Sequence, residues 1–328
     1  MANTAEEHES EGRPSLIFHG PPSASAFSIF PFVKTKFVVL DPRADPPHPS
    51  FPALSKAARL MLCWGPTPVT SEDLARYPAL ECIVGSSAGL NHFDLDACRR
   101  RGVRVTSAGE VFSDDVADYT VGLAIDVLRR LTASDRFLRA GFWPLETGFA
   151  LGSKVTGKRI GIVGLGSIGT RVAKRFEAFD CTIAYTSRKI KPGVSYPFYP
   201  NIVDLASNVD VLVLCCPLTD KTHHLVEHTV MTALGKSGVI INVGRGGLID
   251  EKELVEFLVR GDIGGAGLDV FENEPHVPDE LMKLENVVLS PHRAVLTPDS
   301  LAALADLVRS NLEAFCLDKP LQTEVNFE

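Results

Sequence analysis

Between Arg159 and Ser290 one pattern recurs six times: a short continuous run of Val, Ile and Leu, followed by a gap of helix length. The runs are RIGIVG (159–164), TIAYT (182–186), VLVLC (211–215), GVIINV (238–243), AGLDVF (266–271) and NVVLS (286–290). Apolar residues that do not alternate with polar ones describe strands covered on both faces, and that arrangement needs helices on either side of a parallel sheet. An earlier, more interrupted series reads the same way: SLIFH (15–19), KFVVLD (36–41), RLMLCW (59–64), ECIVG (81–85) and VRVTS (103–107), with SEDLARYPA and DLDACRRRG as helices between them. PRADPPHPSFP (42–52) is predicted to be a loop, because its prolines supply no backbone donors. Two α/β domains, each a doubly wound parallel sheet, therefore fit within 328 residues. The apolar segment 116–131 is predicted to be a helix linking them. A last helix is expected to begin with Thr297 as its cap and Pro298 in its first position. It lies beyond the sixth strand, and its stripe of Leu301, Leu304, Val308, Leu312 and Phe315 is expected to return to the first domain.

The end of the first run in the second series carries chemistry. Gly164-Leu165-Gly166-Ser167-Ile168-Gly169 follows a strand directly and opens a helix whose apolar face is expected at Ile168, Val172, Phe176 and Phe179. In that setting the first glycine permits a tight turn and the second lets backbone approach a pyrophosphate. The third lets helix and strand pack closely, and the helix N-terminus faces the anion. An ordinary strand-turn-helix uses similar glycines, so the context carries the reading. The next strand ends in Tyr185-Thr186-Ser187-Arg188-Lys189, without the carboxylate that holds a ribose 2′-hydroxyl in NAD sites. Ser187 can donate to a 2′-phosphate, while Arg188 and Lys189 can neutralise it; the expected cofactor is NADP(H), with NAD(H) as the weaker alternative. A solvated basic loop is the competing reading.

Three further strand ends bring one Arg, one Glu and one His to the ligand edge of such a sheet: Val243-Gly244-Arg245, Asp269 through Glu274, and Ser290-Pro291-His292. Asp250 and Glu253 read as a capping box for the helix after the fourth strand.

GLGSIG, NVGRGGLID, GLDVFENEP and SPH, in that order, resemble the D-isomer-specific 2-hydroxyacid dehydrogenases, most of all the plant reductases of glyoxylate, hydroxypyruvate and hydroxyphenylpyruvate. The likeness covers roughly residues 80 to 320. It implies a Rossmann nucleotide domain inserted into a flavodoxin-like substrate domain, with boundaries expected at 14–115 plus 296–328 and at 116–295, and residues 1–13 disordered. It also implies Arg245, Glu274 and His292 as the catalytic set. Asp269 would lie near the nicotinamide, and Cys216, Pro217 and Thr222 along the cofactor. The Ser87-Ala88-Gly89 loop would hold the substrate carboxylate by backbone N–H groups, together with Arg245 and His292. After His292 the family commonly has small residues, where this chain has Arg293-Ala294-Val295-Leu296-Thr297. The activity implied is NADPH-dependent reduction of a small 2-oxo acid. A non-catalytic dinucleotide-sensing scaffold of the corepressor type is the alternative, and formate or phosphite oxidation a nearer one.

Composition narrows the partners. A formal net charge of -8 and a pI near 5.6 offer no basic stripe for nucleic acid. Seven scattered cysteines without a CxxC pair point to a reducing compartment. No apolar run spans a bilayer, the first residues form no signal core, and VNFE is not a peroxisomal tripeptide, so no membrane partner and a cytoplasmic setting are expected. A homodimer follows from the resemblance and from the apolar 116–131 segment. Trp143 is read as a pocket residue across a dimer contact or as a core or interface aromatic. His223, His224 and His228 lack carboxylate or Cys partners at ligand spacing, so no metal is expected.

Overall fold

The computed structural model describes residues 12–21, 29–44, 48–145 and 148–327. Of the segment expected to be disordered, residues 1–11 lie outside this set; Arg13 is described and donates to the Lys34 carbonyl at 2.9 Å. The chain divides into two compact units, one of residues 1–112 and 297–328, the other of Ser113–Leu296.

The first unit begins with β1 (Ser15–His19), α1 (Phe30–Lys36), β2 (Val38–Leu40), α2 (Phe51–Ala57), β3 (Leu60–Cys63) and α3 (Ser71–Arg76). It continues with β4 (Cys82–Gly85), α4 (Leu95–Arg100) and β5 (Arg104–Thr106). All strands are parallel in the order β2-β1-β3-β4-β5, the flavodoxin-like arrangement. Ile17, Met61, Ile83 and Val105 are completely or almost completely buried, so the continuous apolar runs are explained by helices on both faces. The expected loop 42–52 ends early. Pro52 sits near the start of α2, where its missing N–H would have no helical partner anyway.

The second unit opens with α5 (Ser113–Arg129) and α6 (Leu131–Arg139). The single helix expected over 116–131 thus starts three residues earlier and is broken at Arg130, which takes a left-handed conformation with φ 57°. The buried face of α5, including Val116, Thr120, Leu123, Ala124 and Val127, packs inside its own unit against the sheet and α7. Then follow β6 (Arg159–Val163), α7 (Ser167–Glu177), β7 (Thr182–Thr186), α8 (Ile202–Ala206), β8 (Val211–Leu214), α9 (His228–Leu234) and β9 (Val239–Asn242). A short 3-10 turn at Gly246–Leu248 precedes α10 (Glu251–Arg260), β10 (Gly265–Leu268), α11 (Asp279–Lys283) and β11 (Val287–Leu289). The parallel order is β11-β10-β9-β8-β6-β7, and an isolated bridge from Phe198 to Tyr185 extends the β7 edge. Strand order reverses between β6 and β8, which creates the crevice where doubly wound sheets bind ligands.

The last helix, α12 (Pro298–Cys316), returns to the first unit and packs on β4. A capping box between Thr297 and Ser300 starts it, and Leu304, Val308 and Leu312 form its buried stripe. The tail beyond it bridges to β5, where Glu324 accepts two hydrogen bonds from Arg104 at 2.7 and 2.8 Å.

Candidate active site

The candidate residues of the second unit fall beyond the C-terminal ends of β6, β7, β8, β9, β10 and β11. At the switch point the glycines are required by contact. Gly164 has φ +96°, and a Cβ there would stand 2.8 Å from the Cys216 backbone; one at Gly169 would stand 2.3 Å from the Gly164 carbonyl. A Cβ on Gly166 would meet nothing within 4 Å, so its backbone faces open space at the start of α7. Leu165 is buried, and Arg171 donates to the Ser167 hydroxyl and carbonyl. The buried face of α7 is Gly169, Val172, Ala173 and Phe176; the expected Ile168 and Phe179 are only half-buried. The close approach at Gly169 turns that side of the helix inward.

Tyr185 of β7 is fully buried, yet its hydroxyl accepts from the Lys191 N–H at 2.9 Å. Ser187 donates to the Lys189 carbonyl at 2.6 Å. These two bonds shape the loop that presents exposed Arg188 and Lys189, and no local sequence feature marks the Tyr185 anchor. Beyond β8, Thr222 donates to the Pro217 carbonyl at 2.7 Å and accepts from the Thr219 N–H at 2.8 Å. Burial pushes the Cys216 thiol up to about 11 and holds the neighbouring Cys215 thiol high as well, so neither is poised as a thiolate.

Buried Asn242 clamps the next turn from both sides. It accepts from the Gly244 N–H at 3.0 Å and donates to the Arg245 carbonyl at 2.9 Å. Val243 is buried, and the Arg245 guanidinium donates to the Gly244 carbonyl at 2.7 Å. Burial pulls that guanidinium below the ordinary arginine value, against the opposing charge of Glu274. Asp250 accepts from the Glu253 N–H at 3.1 Å; the reciprocal half of the expected capping box is not formed among the described residues.

His292 and Glu274 come together across 18 residues: Nδ1 of His292 lies 2.9 Å from a Glu274 carboxylate oxygen. The other oxygen accepts from the Phe271 N–H at 3.1 Å. Burial acts to raise the Glu274 carboxyl, but hydrogen bonding and charge from His292, the Phe271 N–H and Arg245 outweigh it, and the group lies below the usual carboxylate range. His292 is itself left-handed at φ 52°, held by its N–H to the Asp269 carbonyl at 2.8 Å. Asp269, 1% exposed, accepts from the Ser290 hydroxyl, from the Arg293 N–H at 2.7 Å and from the Ala294 N–H at 3.0 Å. Its carboxylate thus fixes the backbone on either side of His292, while the Arg293 side chain is exposed. Beside the pair lies an apolar pocket of about 280 Å³, lined by Phe271, Val277, Met282, Leu289 and Pro291 as well as by the pair itself.

In the first unit, the loop after β4 is anchored by Ser86, which accepts from the Gly65 N–H at 2.8 Å, and by the Ser87 carbonyl, which accepts from the Ala108 N–H at 2.9 Å. Ala88 is exposed and Gly89 half-buried. Trp143 is 71% exposed, so it is not a core residue of this chain. The histidine run behaves differently from its reading. His228 packs edge-on to Phe257, but His224 does find a carboxylate, with Nε2 2.8 Å from Glu272, a residue 48 positions away. Spacing along the chain cannot show a partner that only the fold supplies.

The signature of the D-isomer specific 2-hydroxyacid dehydrogenase NAD-binding domain matches residues 121–294. A glyoxylate/hydroxypyruvate reductase of Arabidopsis thaliana is 53% identical over 321 residues, covering 98% of this chain and 99% of the relative. The chain belongs to the D-isomer specific 2-hydroxyacid dehydrogenases. Among other relatives of this dehydrogenase, a hydroxyphenylpyruvate reductase of Plectranthus scutellarioides is 52% identical over 255 residues, covering 78% of this chain and 81% of the relative. The NADPH-dependent glyoxylate/hydroxypyruvate reductase of Sinorhizobium meliloti, solved with NADP and malonate, superimposes with a TM-score of 0.87 at 34% identity, covering 96% of this dehydrogenase and 97% of that chain. Among the described residues no helix is long and apolar enough to cross a membrane.

Proposed function

We propose that this dehydrogenase reduces a small 2-oxo acid, such as glyoxylate, hydroxypyruvate or 4-hydroxyphenylpyruvate, to the D-2-hydroxy acid with NADPH. The observation that carries the reading is the His292–Glu274 pair at 2.9 Å, with Arg245 close enough for its charge to act on Glu274. A dinucleotide fits the residues present. The open backbone at Gly166 and the N-terminus of α7 suit a pyrophosphate, with Leu165, Ser167 and Ile168 around it. Exposed Arg188 and Lys189, with Ser187 and no carboxylate at 185–189, suit a 2′-phosphate better than a bare ribose. Cys216, Pro217, Thr222, Val243, Gly244 and Asp269 are assigned to the rest of the cofactor site.

When bound, the cofactor supplies a hydride to C2 of the oxo acid. His292, protonated, gives its Nε2 proton to the oxygen that becomes the alcohol, so that proton and hydride together convert the carbonyl to a hydroxyl. Glu274 holds the imidazole through Nδ1 and favours its charged form. Arg245 pairs with the substrate carboxylate and polarises the carbonyl, and its partly buried setting strengthens both effects. Ser87, Ala88 and Gly89 are assigned backbone donation to the same carboxylate. A His, Glu and Arg so arranged favour catalysis over the scaffold alternative.

Homodimerisation is part of the proposal. The apolar face of α5 is consumed inside its own unit, so the surface that supports a dimer lies further along, at Leu138, Phe142, Trp143, Leu145 and Leu151, which are 49–96% exposed. A cytoplasmic setting is likewise proposed from the free cysteines. Initial rates of NADPH and NADH oxidation, with each of the three oxo acids supplied separately, test the reading. Turnover that favours NADPH supports it. Tight dinucleotide binding without turnover of any acid would transfer support to the scaffold.

A further inference from the structure

Outside the His292–Glu274 pair, the described residues hold one cluster of metal-ligating groups: His223, His224 and Glu272, whose donor atoms all lie within 4.8 Å of one another. The two imidazoles stack with centroids 3.9 Å apart and planes 23° from parallel. Nε2 of His224 faces Glu272 at 2.8 Å, and Nδ1 faces the Asp250 carboxylate at 3.6 Å. We propose that His223, His224 and Glu272 bind one divalent transition-metal ion of the zinc type, with Asp250 orienting His224 from behind.

Distance, charge and preorganisation support this assignment. A tetrahedral ion with bonds of about 2.0–2.2 Å needs ligand atoms roughly 3.3 Å apart, so the His224–Glu272 separation must open by only about half an ångström. His223 is exposed, and its ring stacks on that of His224. An ion seated between Nε2 and the Glu272 carboxylate would replace their contact, with any proton held there passing to solvent. A metal-bound imidazole usually offers its second nitrogen to a carboxylate, and Asp250 occupies that place.

The surroundings carry negative charge. Asp250, Glu251 and Glu272 converge here, and the ion pairs found at these three among the described residues are with His224 alone. Glu251 accepts the Glu272 N–H at 3.1 Å, which places a third carboxylate beside the pair. Two imidazoles beside one carboxylate select zinc-like ions over magnesium or calcium, which prefer oxygen ligands.

The ligands are also fixed by backbone. His224 is left-handed at φ 50° and donates its N–H to the Gly247 carbonyl at 2.8 Å, while Asp250 donates its N–H to Val226 at 3.0 Å. Three loops therefore meet at the cluster: the one after β8, the one after β9 that carries Arg245, and the one after β10 that carries Glu274. An ion would hold them together and stabilise the folded state.

The test is calorimetric titration of the chelator-treated full-length protein with zinc chloride, repeated with magnesium chloride, alongside thermal unfolding. One zinc ion per chain with a raised unfolding midpoint, and no magnesium binding, is expected. His223→Gln, an exposed change compatible with folding, and Glu272→Gln should each weaken zinc binding by about 10–100-fold. Cys316→Ser and His292→Asn should leave it unchanged, which separates this site from the exposed thiol and from the proposed proton donor. Zinc binding that survives both His223→Gln and Glu272→Gln, or the absence of zinc binding in the parent protein, would overturn the assignment. Because the readout is metal affinity rather than turnover, it stands or falls apart from the proposed reductase activity.

Discussion

Two histidine–glutamate pairs sit on one loop system of the second unit, and they look alike. Glu272 and Glu274 are two residues apart, each meets a histidine at 2.8 or 2.9 Å, and both histidines are left-handed. Their exposures are close too, 33% and 35% for the imidazole side chains. The difference lies at the second ring nitrogen. Both nitrogens of His224 face carboxylates, whereas His292 spends only Nδ1 on Glu274 and borders an apolar pocket. A His–carboxylate contact therefore does not define a proton donor; what matters is whether one nitrogen is left to face a reactant. The backbone agrees, because Asp269 gives its buried carboxylate to the segment around His292.

That contrast can be broken by experiment. The largest expected effect is on turnover: His292→Asn should lower kcat for 2-oxo acid reduction by about 10²–10⁴-fold while NADPH affinity stays near that of the parent. His224→Asn should stay within about tenfold, since it removes a contact behind the loops and not a reacting group. Equal losses from the two variants would erase the distinction. Arg245→Lys keeps the charge but not the planar fork, so kcat/KM should fall by about 10–10²-fold, as steady-state rates would show.

Cofactor selectivity comes next. Replacing Arg188 and Lys189 together by Ala should raise KM for NADPH by about tenfold and leave that for NADH nearly unchanged. An equal loss for both nucleotides would mean that the loop does not read the 2′-phosphate.

The smallest effect concerns acid stability. The Glu274 carboxyl is lowered in the folded state, so its contribution is complete above its unfolded value of about 4.3 and is lost as pH falls through the folded value. Glu274→Gln removes that slope, and unfolding midpoints followed below about pH 4.3 should then depend less on pH than in the parent. An unchanged slope would show that the pair adds nothing to folding.

Much of the fold was readable because strands buried on both faces must be apolar throughout, and these fall where the Val, Ile and Leu runs fall. The glycines of 164–169 were readable for a related reason: contacts at Gly164 and Gly169 forbid any side chain, and such bans leave a mark in the sequence. Less was visible where a contact joins distant residues with ordinary side chains. Nothing near Tyr185 announces that its hydroxyl will hold the Lys191 N–H, and nothing near His224 announces Glu272. Asn242 stands beside Arg245 in the sequence, yet only the bent backbone shows it gripping both sides of that turn. The break at Arg130 was hidden as well, since an arginine carries no helix-ending signal of its own.

Chemical rescue tests the central claim most directly. NADPH oxidation by His292→Ala should be nearly abolished at unchanged NADPH affinity and partly restored by added imidazole, for which the neighbouring pocket of about 280 Å³ leaves room. Turnover by His292→Ala within tenfold of the parent, or imidazole rescue of a His224→Ala variant in its place, would contradict the assignment of His292 as the proton donor.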